Sequence, residues 1–220
     1  MAMPKDAVCF ILGAGEVDPE LTLSLRPDDL LIAADGGFRT VERMGLVPHL
    51  VIGDFDSLGN RPNHPNTVVL PTVKDETDMC AAIRLGRERG YTRFALYGGT
   101  GGRLAHTLAN LQLLDGLARE GFRGFLVGEG TVSTAVHNGE LSFPAHMSGY
   151  LSVFCTSGRA EGVALSGLKY ELADARLESS FPLGVSNEFV GEPARVSVQD
   201  GTLLALWQAD DVENTLLRTL

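Results

Sequence analysis

The chain has 220 residues, 44% of them hydrophobic, which is enough apolar side chain for one large or two small globular domains. Its 18 Lys and Arg against 28 Asp and Glu give a net charge of −10, which disfavours a protein that tracks a nucleic-acid backbone, because counterion release needs clustered basic residues. The three cysteines lie far apart without a CxxC pair and predict buried reduced thiols; no apolar run approaches the ~18 residues that span a bilayer and no signal-peptide pattern opens the chain, so a cytoplasmic protein without membrane contact is expected.

Residues 7–12, AVCFIL, read as a buried strand that ends in the turn Gly13-Ala14-Gly15, where backbone N–H groups could come close to a ligand or simply serve the turn. LLIAA forms a second strand and stops at Asp35-Gly36-Gly37. FRTVERMG is then a helix closed by Gly45, and LVIG a third strand that stops at Asp54-Phe55-Asp56-Ser57. In open parallel sheets ligands bind beyond the carboxyl ends of the strands, so acids and glycines gathered there suggest a site for a phosphate with its metal ion. A proline-rich loop with a solvated His64 leads to a fourth strand, TVVLP.

Lys74-Asp75-Glu76-Thr77-Asp78 precedes a helix, MCAAIRLGRERG. Acids at a helix start favour the dipole, and Asp75 with Asp78 could be a cap arrangement. Considered together with Asp54 and Asp56, the four acids would repel one another unless a divalent cation held them. RFALYGG is a fifth strand running through Thr100-Gly101-Gly102 into the helix RLAHTLANLQLLDGLARE, whose N-terminus can accept a phosphate. Arg103, His106, Thr107 and Asn110 follow helical spacing and share one polar face, while Leu104, Leu108 and Leu111 group on another. Arg, His, Thr and Asn directly after a glycine loop suit a ligand better than they suit solvent.

GFRGFLVG is a sixth strand, and with it the strand-helix alternation ends. The segments that follow, TVSTAVH, ELSF, YLSVFC, GVALSG, LKYEL, LGVSNEFV, ARVSVQ and TLLALWQ, are short and separated by turn residues, with Asn138-Gly139 and Asp200-Gly201 expected as hairpin turns. The fold class is therefore α/β: an N-terminal parallel-sheet domain over 1–129, followed by a smaller all-β antiparallel sandwich over 130–220.

Taken together, ADGG, PHLVIGDFDSL, KDETD, GGTGGRLAHTLANLQLL, GLKYEL and VSNE resemble, in order from residue 33 to 188, the motifs of the thiamine pyrophosphokinase family. The resemblance implies transfer of the pyrophosphoryl group of ATP to the hydroxyl of thiamine, giving thiamine diphosphate and AMP with Mg²⁺. It also implies a homodimer with the thiamine site at the subunit interface. Matched by motif, Asp54, Asp56 and Asp78 would be the catalytic acids and would hold magnesium, with Asp75 a further or outer ligand. Asp35, Gly36, Gly101, Arg103, His106 and Asn110 would meet ATP, and Ser186 and Asn187 the pyrimidine of thiamine. Without the resemblance, Ser186-Asn187 reads as a turn between strands. The family usually has aspartate where this chain has Ala105 and His49, and asparagine is common where it has Arg39. Helical spacing puts residue 105 away from the polar face. A pyrophosphokinase for another hydroxymethyl compound such as a pterin, or a catalytically weak nucleotide or thiamine binder, are the alternatives; GLKY with VSNE argues against the first, and the retained acids against the second.

Overall fold

The computed structural model describes residues 6–55, 62–73, 75–128 and 130–208. Of these, residues up to Asn110 with 126–128 form one compact unit, and residues 111–125 with 130–208 a second. In chain order the first elements are β1 (Val8–Leu12), β2 (Leu30–Ala34), α1 (Gly37–Arg43), β3 (Leu50–Gly53), β4 (Thr67–Val69), α2 (Asp78–Glu88), β5 (Arg93–Tyr97), α3 (Leu104–Arg119) and β6 (Arg123–Gly128). All five residues of β1 and of β2 are buried, as expected of parallel strands covered on both faces.

The strands run in the order β6-β5-β1-β2-β3-β4, and the pairs β5-β1, β1-β2, β2-β3 and β3-β4 are parallel. The chain builds outward from β1 to β4 and then returns to the other side of β1. That reversal opens a crevice between the carboxyl ends of β1 and β5, the place where open α/β sheets bind ligands. The return is made by α2, which buries Met79, Ala81, Ala82, Ile83 and Gly86 and packs on β1, β2 and β3. Its N-cap is Thr77, whose Oγ1 accepts from Cys80 N–H at 3.2 Å, so Asp75 is not the cap. His49 sits at the opposite end of the sheet, before β3. Its N–H donates to the Leu31 carbonyl at 2.8 Å and its Nδ1 accepts from Leu31 N–H at 2.9 Å, an acceptor role that an aspartate would also fill.

From residue 130 onward the described chain is all β: β7 (Thr131–His137), β8 (Glu140–Phe143), β9 (Tyr150–Cys155), β10 (Arg159–Ser166), β11 (Leu172–Glu178), β12 (Gly184–Glu188), β13 (Ala194–Ser197) and β14 (Thr202–Gln208). Two antiparallel layers result, β12-β9-β14-β7 and β11-β10-β13-β8. Phe143 of one layer meets Trp207 of the other edge-on at 5.3 Å, and Phe189 at 5.4 Å. This aromatic cluster supplies large buried area at the centre of the sandwich. LKYEL, expected as a strand, makes the isolated bridge Leu168↔Phe189 and contributes only its last residue, Leu172, to β11, the rest belonging to the turn between β10 and β11.

The two expected hairpin turns are not hairpins. β7 and β8 lie in different layers, as do β13 and β14, so Asn138-Gly139 and Asp200-Gly201 are corners that carry the chain from one layer to the other. The two corners bond to each other. Asn138 N–H donates to the Gly201 carbonyl at 3.1 Å, and Gly201 N–H donates to Asn138 Oδ1 at 2.8 Å. Asn138 also holds a left-handed conformation, φ 45°, which asparagine tolerates better than most residues. Asn138→Ala should therefore lower stability by about 1–3 kcal/mol, the range for stranding a donor in the fold, while Asn138→Asp should cost less because it keeps the acceptor. Chemical denaturation midpoints compared at constant m-value check this; equal losses for the two variants would contradict it.

Candidate active site

The glycine turns after β1 and β5 are in backbone contact. Gly13 N–H donates to the Tyr97 carbonyl at 2.8 Å and Gly15 N–H to the Gly98 carbonyl at 2.9 Å. Gly98 takes φ 63°, and a Cβ there would stand 2.6 Å from the Gly13 carbonyl oxygen, so only glycine permits the approach. Asn110, 5% exposed on α3, donates from Nδ2 to the Gly99 carbonyl at 2.8 Å and fixes the next peptide of the turn. Among the described residues no backbone acceptor takes the amides of Thr100, Gly101 or Gly102, which lead into the N-terminus of α3. Unsatisfied donors at the start of a 16-residue helix form a site suited to phosphate oxygens.

A second turn pair lies after β2 and β3. Asp35 has φ 48° and Phe55 φ 62°, left-handed conformations that are uncommon for residues other than glycine. Asp35 N–H donates to the Ile52 carbonyl at 2.7 Å, and a Cβ on Gly53 would stand 3.0 Å from Asp35 Cα. Gly53 thus lets the end of β3 pass close under the Asp35 turn. Strain of this kind concentrates where a side chain must be held at a functional position.

These loops enclose a cavity of about 530 Å³. Of the expected residues, Asp35, Asp54, Asp78, Arg103, His106 and Asn110 all line it. Gly36, the N-cap of α1, and the exposed Gly101 and Asp75 are outside its lining. Asp56 lies outside the described residues. Ser186 and Asn187 belong to β12 in the second unit. Gly15, Thr72, Glu76, Thr77 and Met79 also line the cavity without having been singled out as ligand residues. The glycine pair after β1 was the available signal for Gly15, but turn chemistry alone explains such a pair equally well.

The electrostatics are mixed. Glu76 is engaged by Arg84 at 2.8 Å, and Arg84 also holds Glu88 at 3.0 Å. Asp35, Asp54 and Asp78 face the same space as Arg103 and His106. Among the described residues no three His, Cys, Asp or Glu stand close enough to form a closed metal cage. Mg²⁺ ordinarily takes one or two carboxylates and completes its shell with water and phosphate oxygens, so an open set of carboxylates beside a phosphate cradle suits it. The α3 face is divided as helical spacing expects: Arg103, His106, Thr107 and Asn110 meet the cavity, whereas Leu104 and Leu108 are 72% and 54% exposed.

Residues 22–125 match the model of the thiamin pyrophosphokinase catalytic domain, and residues 139–203 match that of the thiamin pyrophosphokinase vitamin B1 binding domain. The chain belongs to the thiamine pyrophosphokinase family. Thiamine pyrophosphokinase from Bacillus subtilis is 26% identical over 205 residues, covering 90% of this chain and 96% of that protein. The crystal structure of thiamin pyrophosphokinase from Geobacillus thermodenitrificans superposes with a TM-score of 0.77 at 28% identity, covering 93% of this chain and 99% of that one. The Bacillus subtilis crystal structure, TM-score 0.81 at 24% identity over 93% of this chain and 100% of that one, shows the same fold. An enzyme family with a two-part fold, parallel α/β followed by antiparallel β, is thus the setting in which the cavity is read.

Ala105, where the family usually has aspartate, is exposed and outside the cavity lining. Restoring the acid would add at most favourable charge near the start of α3, roughly 0.3 to 1 kcal/mol. Ala105→Asp should accordingly change the apparent KM for ATP by less than about fivefold, the equivalent of ~1 kcal/mol. Steady-state titrations of ATP at saturating thiamine test it, and a hundredfold gain in kcat/KM would mean that the alanine cripples the site.

Proposed function

We propose that this chain transfers the pyrophosphoryl group of ATP to the hydroxyl of thiamine, releasing AMP and thiamine diphosphate. The observation that carries the reading is the convergence of Asp35, Asp54, Asp78, Arg103 and His106 on one cavity at the switch point of a parallel sheet, in a chain matching both domains of the family. Residues 1–129 would act on the nucleotide and 130–220 on thiamine, with Ser186 and Asn187 at the acceptor site. A homodimer would place that acceptor site at the subunit interface. A cytoplasmic location, where ATP is abundant and thiols stay reduced, suits Cys9 and Cys155, both buried and free.

In this reading the thiamine hydroxyl oxygen bonds to the β-phosphorus of ATP, its proton passing to solvent, while the bond from that phosphorus to the α,β-bridging oxygen breaks and AMP leaves. Such transfers depend on positioning and charge neutralisation rather than covalent help from the protein. The amides of Thr100–Gly102 and the α3 N-terminus would hold phosphate oxygens, and Arg103 and His106 would offset charge that develops on the leaving group. Asp54 and Asp78 would hold Mg²⁺, with Asp56 a further ligand and Asp75 an outer one. When bound, the ion supplies charge neutralisation and alignment of the polyphosphate. Asp35, fixed by its strained turn, would orient groups at the same site.

Mixing protein, ATP, Mg²⁺ and thiamine should give thiamine-dependent AMP; ADP with a monophosphate ester would overturn the reaction class. Asp54→Asn and Asp78→Asn should each lower turnover at least about a hundredfold, in line with ~2.7 kcal/mol of lost electrostatic stabilisation, with folding retained. Near wild-type turnover of either variant at saturating magnesium would remove that residue from the ligand set.

A further inference from the structure

Glu76 adds a carboxylate to a cavity lining that already holds Asp35, Asp54 and Asp78. A polyphosphate is itself strongly negative, so each carboxylate beside it either shares its cation or repels it. Glu76 is committed to neither a metal nor solvent. It stands one residue ahead of Thr77, the N-cap of α2, and both of its oxygens are engaged by one guanidinium. Arg84 Nη2 donates to Glu76 Oε1 at 2.8 Å, with Arg84 Nε 3.5 Å from Oε2. The partners are eight residues apart. Side chains on a helix lean towards its N-terminus, so a long one placed two turns in can grasp the residue ahead of the cap.

Arg84 is held from the other side as well, its Nη1 donating to Glu88 Oε1 at 3.0 Å. Helix energetics do not account for this second contact. Arginine ahead of glutamate is the weaker order at a spacing of four, and Glu88, the last residue of α2, puts a negative charge at the negative end of the dipole. The Arg84 and Glu88 side chains are 47% and 55% exposed, and exposed ion pairs add little to stability. What the Glu88 contact does achieve is to hold the guanidinium in place on Glu76. The pair therefore makes more sense as control of charge at the cavity than as a support of the helix.

We infer that Arg84 is a positioning residue of the nucleotide site that acts through Glu76: its guanidinium retains that carboxylate along α2 and offsets its charge, so that a magnesium-bound polyphosphate meets only the carboxylates that serve its cation. This rests on the magnesium-nucleotide reading of the cavity proposed above and deepens it with a residue outside the cavity lining. A merely stabilising ion pair would move the unfolding midpoint and leave nucleotide affinity alone.

The test is a double-mutant cycle read by calorimetry, titrating the whole protein at saturating Mg²⁺ with an ATP analogue that has a methylene bridge between its α- and β-phosphorus atoms. Neither Glu76 nor Arg84 is buried, so the variants should fold. Arg84→Met, which keeps an unbranched stem and removes the charge, should weaken binding about fivefold, the equivalent of ~1 kcal/mol. In about 1 M potassium chloride, where the screening length is ~3 Å, the loss relative to wild type should shrink below about twofold. Glu76→Gln alone should bind no more weakly than wild type. Adding Glu76→Gln to Arg84→Met should return affinity to within about twofold of wild type, because the charge that needed offsetting is gone. A double variant as weak as Arg84→Met would overturn the action through Glu76, and unchanged affinity in Arg84→Met would overturn the inference outright. A loss of about tenfold in Glu76→Gln would also overturn it, by making Glu76 itself a ligand. Should wild-type protein bind no magnesium-nucleotide analogue at all, the reading of the cavity falls and takes the inference with it.

Discussion

Two turns of main chain in direct contact shape the cavity in which the proposed function would hold a polyphosphate. Gly13 and Gly15 after β1 meet Gly98 after β5 backbone to backbone, with N–H to carbonyl distances of 2.8 and 2.9 Å to Tyr97 and Gly98. Any side chain at Gly98 would collide with the Gly13 carbonyl. Because β1 and β5 are neighbours only through the reversal of strand order, this contact exists only at the switch point of the sheet. With Gly99 tied to Asn110, the amides of the following three residues are left for a ligand. Side-chain chemistry is then arranged around a cradle made of main chain.

The charges around the cradle divide by element. Acids arrive from the ends of β2 and β3 and from the first turn of α2, while Arg103 and His106 arrive from the start of α3. An ATP molecule with its metal needs both signs: carboxylates for the cation, and amides, guanidinium and helix dipole for phosphate oxygens. Glu76, although it lines the same cavity, is offset by Arg84 on the outer surface of α2. At exposed positions such a pair contributes little stability, so its relevance is to the local field rather than to the fold.

Much of this was legible in the sequence, for identifiable reasons. β1 and β2 are continuous apolar runs that no surface element could tolerate, and each ends in a glycine or acid turn. The polar face of α3 follows from spacing alone, and the structure puts all four of its members at the cavity. Other features were hidden because they depend on tertiary partners. β11, LADARLE, buries only Leu177, so it shows no alternation and is held as a strand by pairing with β10. Asn138-Gly139 has hairpin composition, yet a corner between layers needs the same left-handed residue. The burial of Asn187 depends on a bulge one residue earlier, which shifts every expectation based on strand alternation.

The cradle can be tested without catalysis. Addition of Mg²⁺ with an ATP analogue carrying a methylene group between the α- and β-phosphorus atoms, whose bond cannot be broken, should leave a stable complex for NMR. The amide resonances of Gly15, Thr100, Gly101, Gly102 and Leu104 should move most. Those of the outer strands of the second unit should stay in place. Large shifts confined to residues outside the β1, β5 and α3 loops, with these five amides unmoved at saturation, would contradict a phosphate site built on the contact of the two glycine turns.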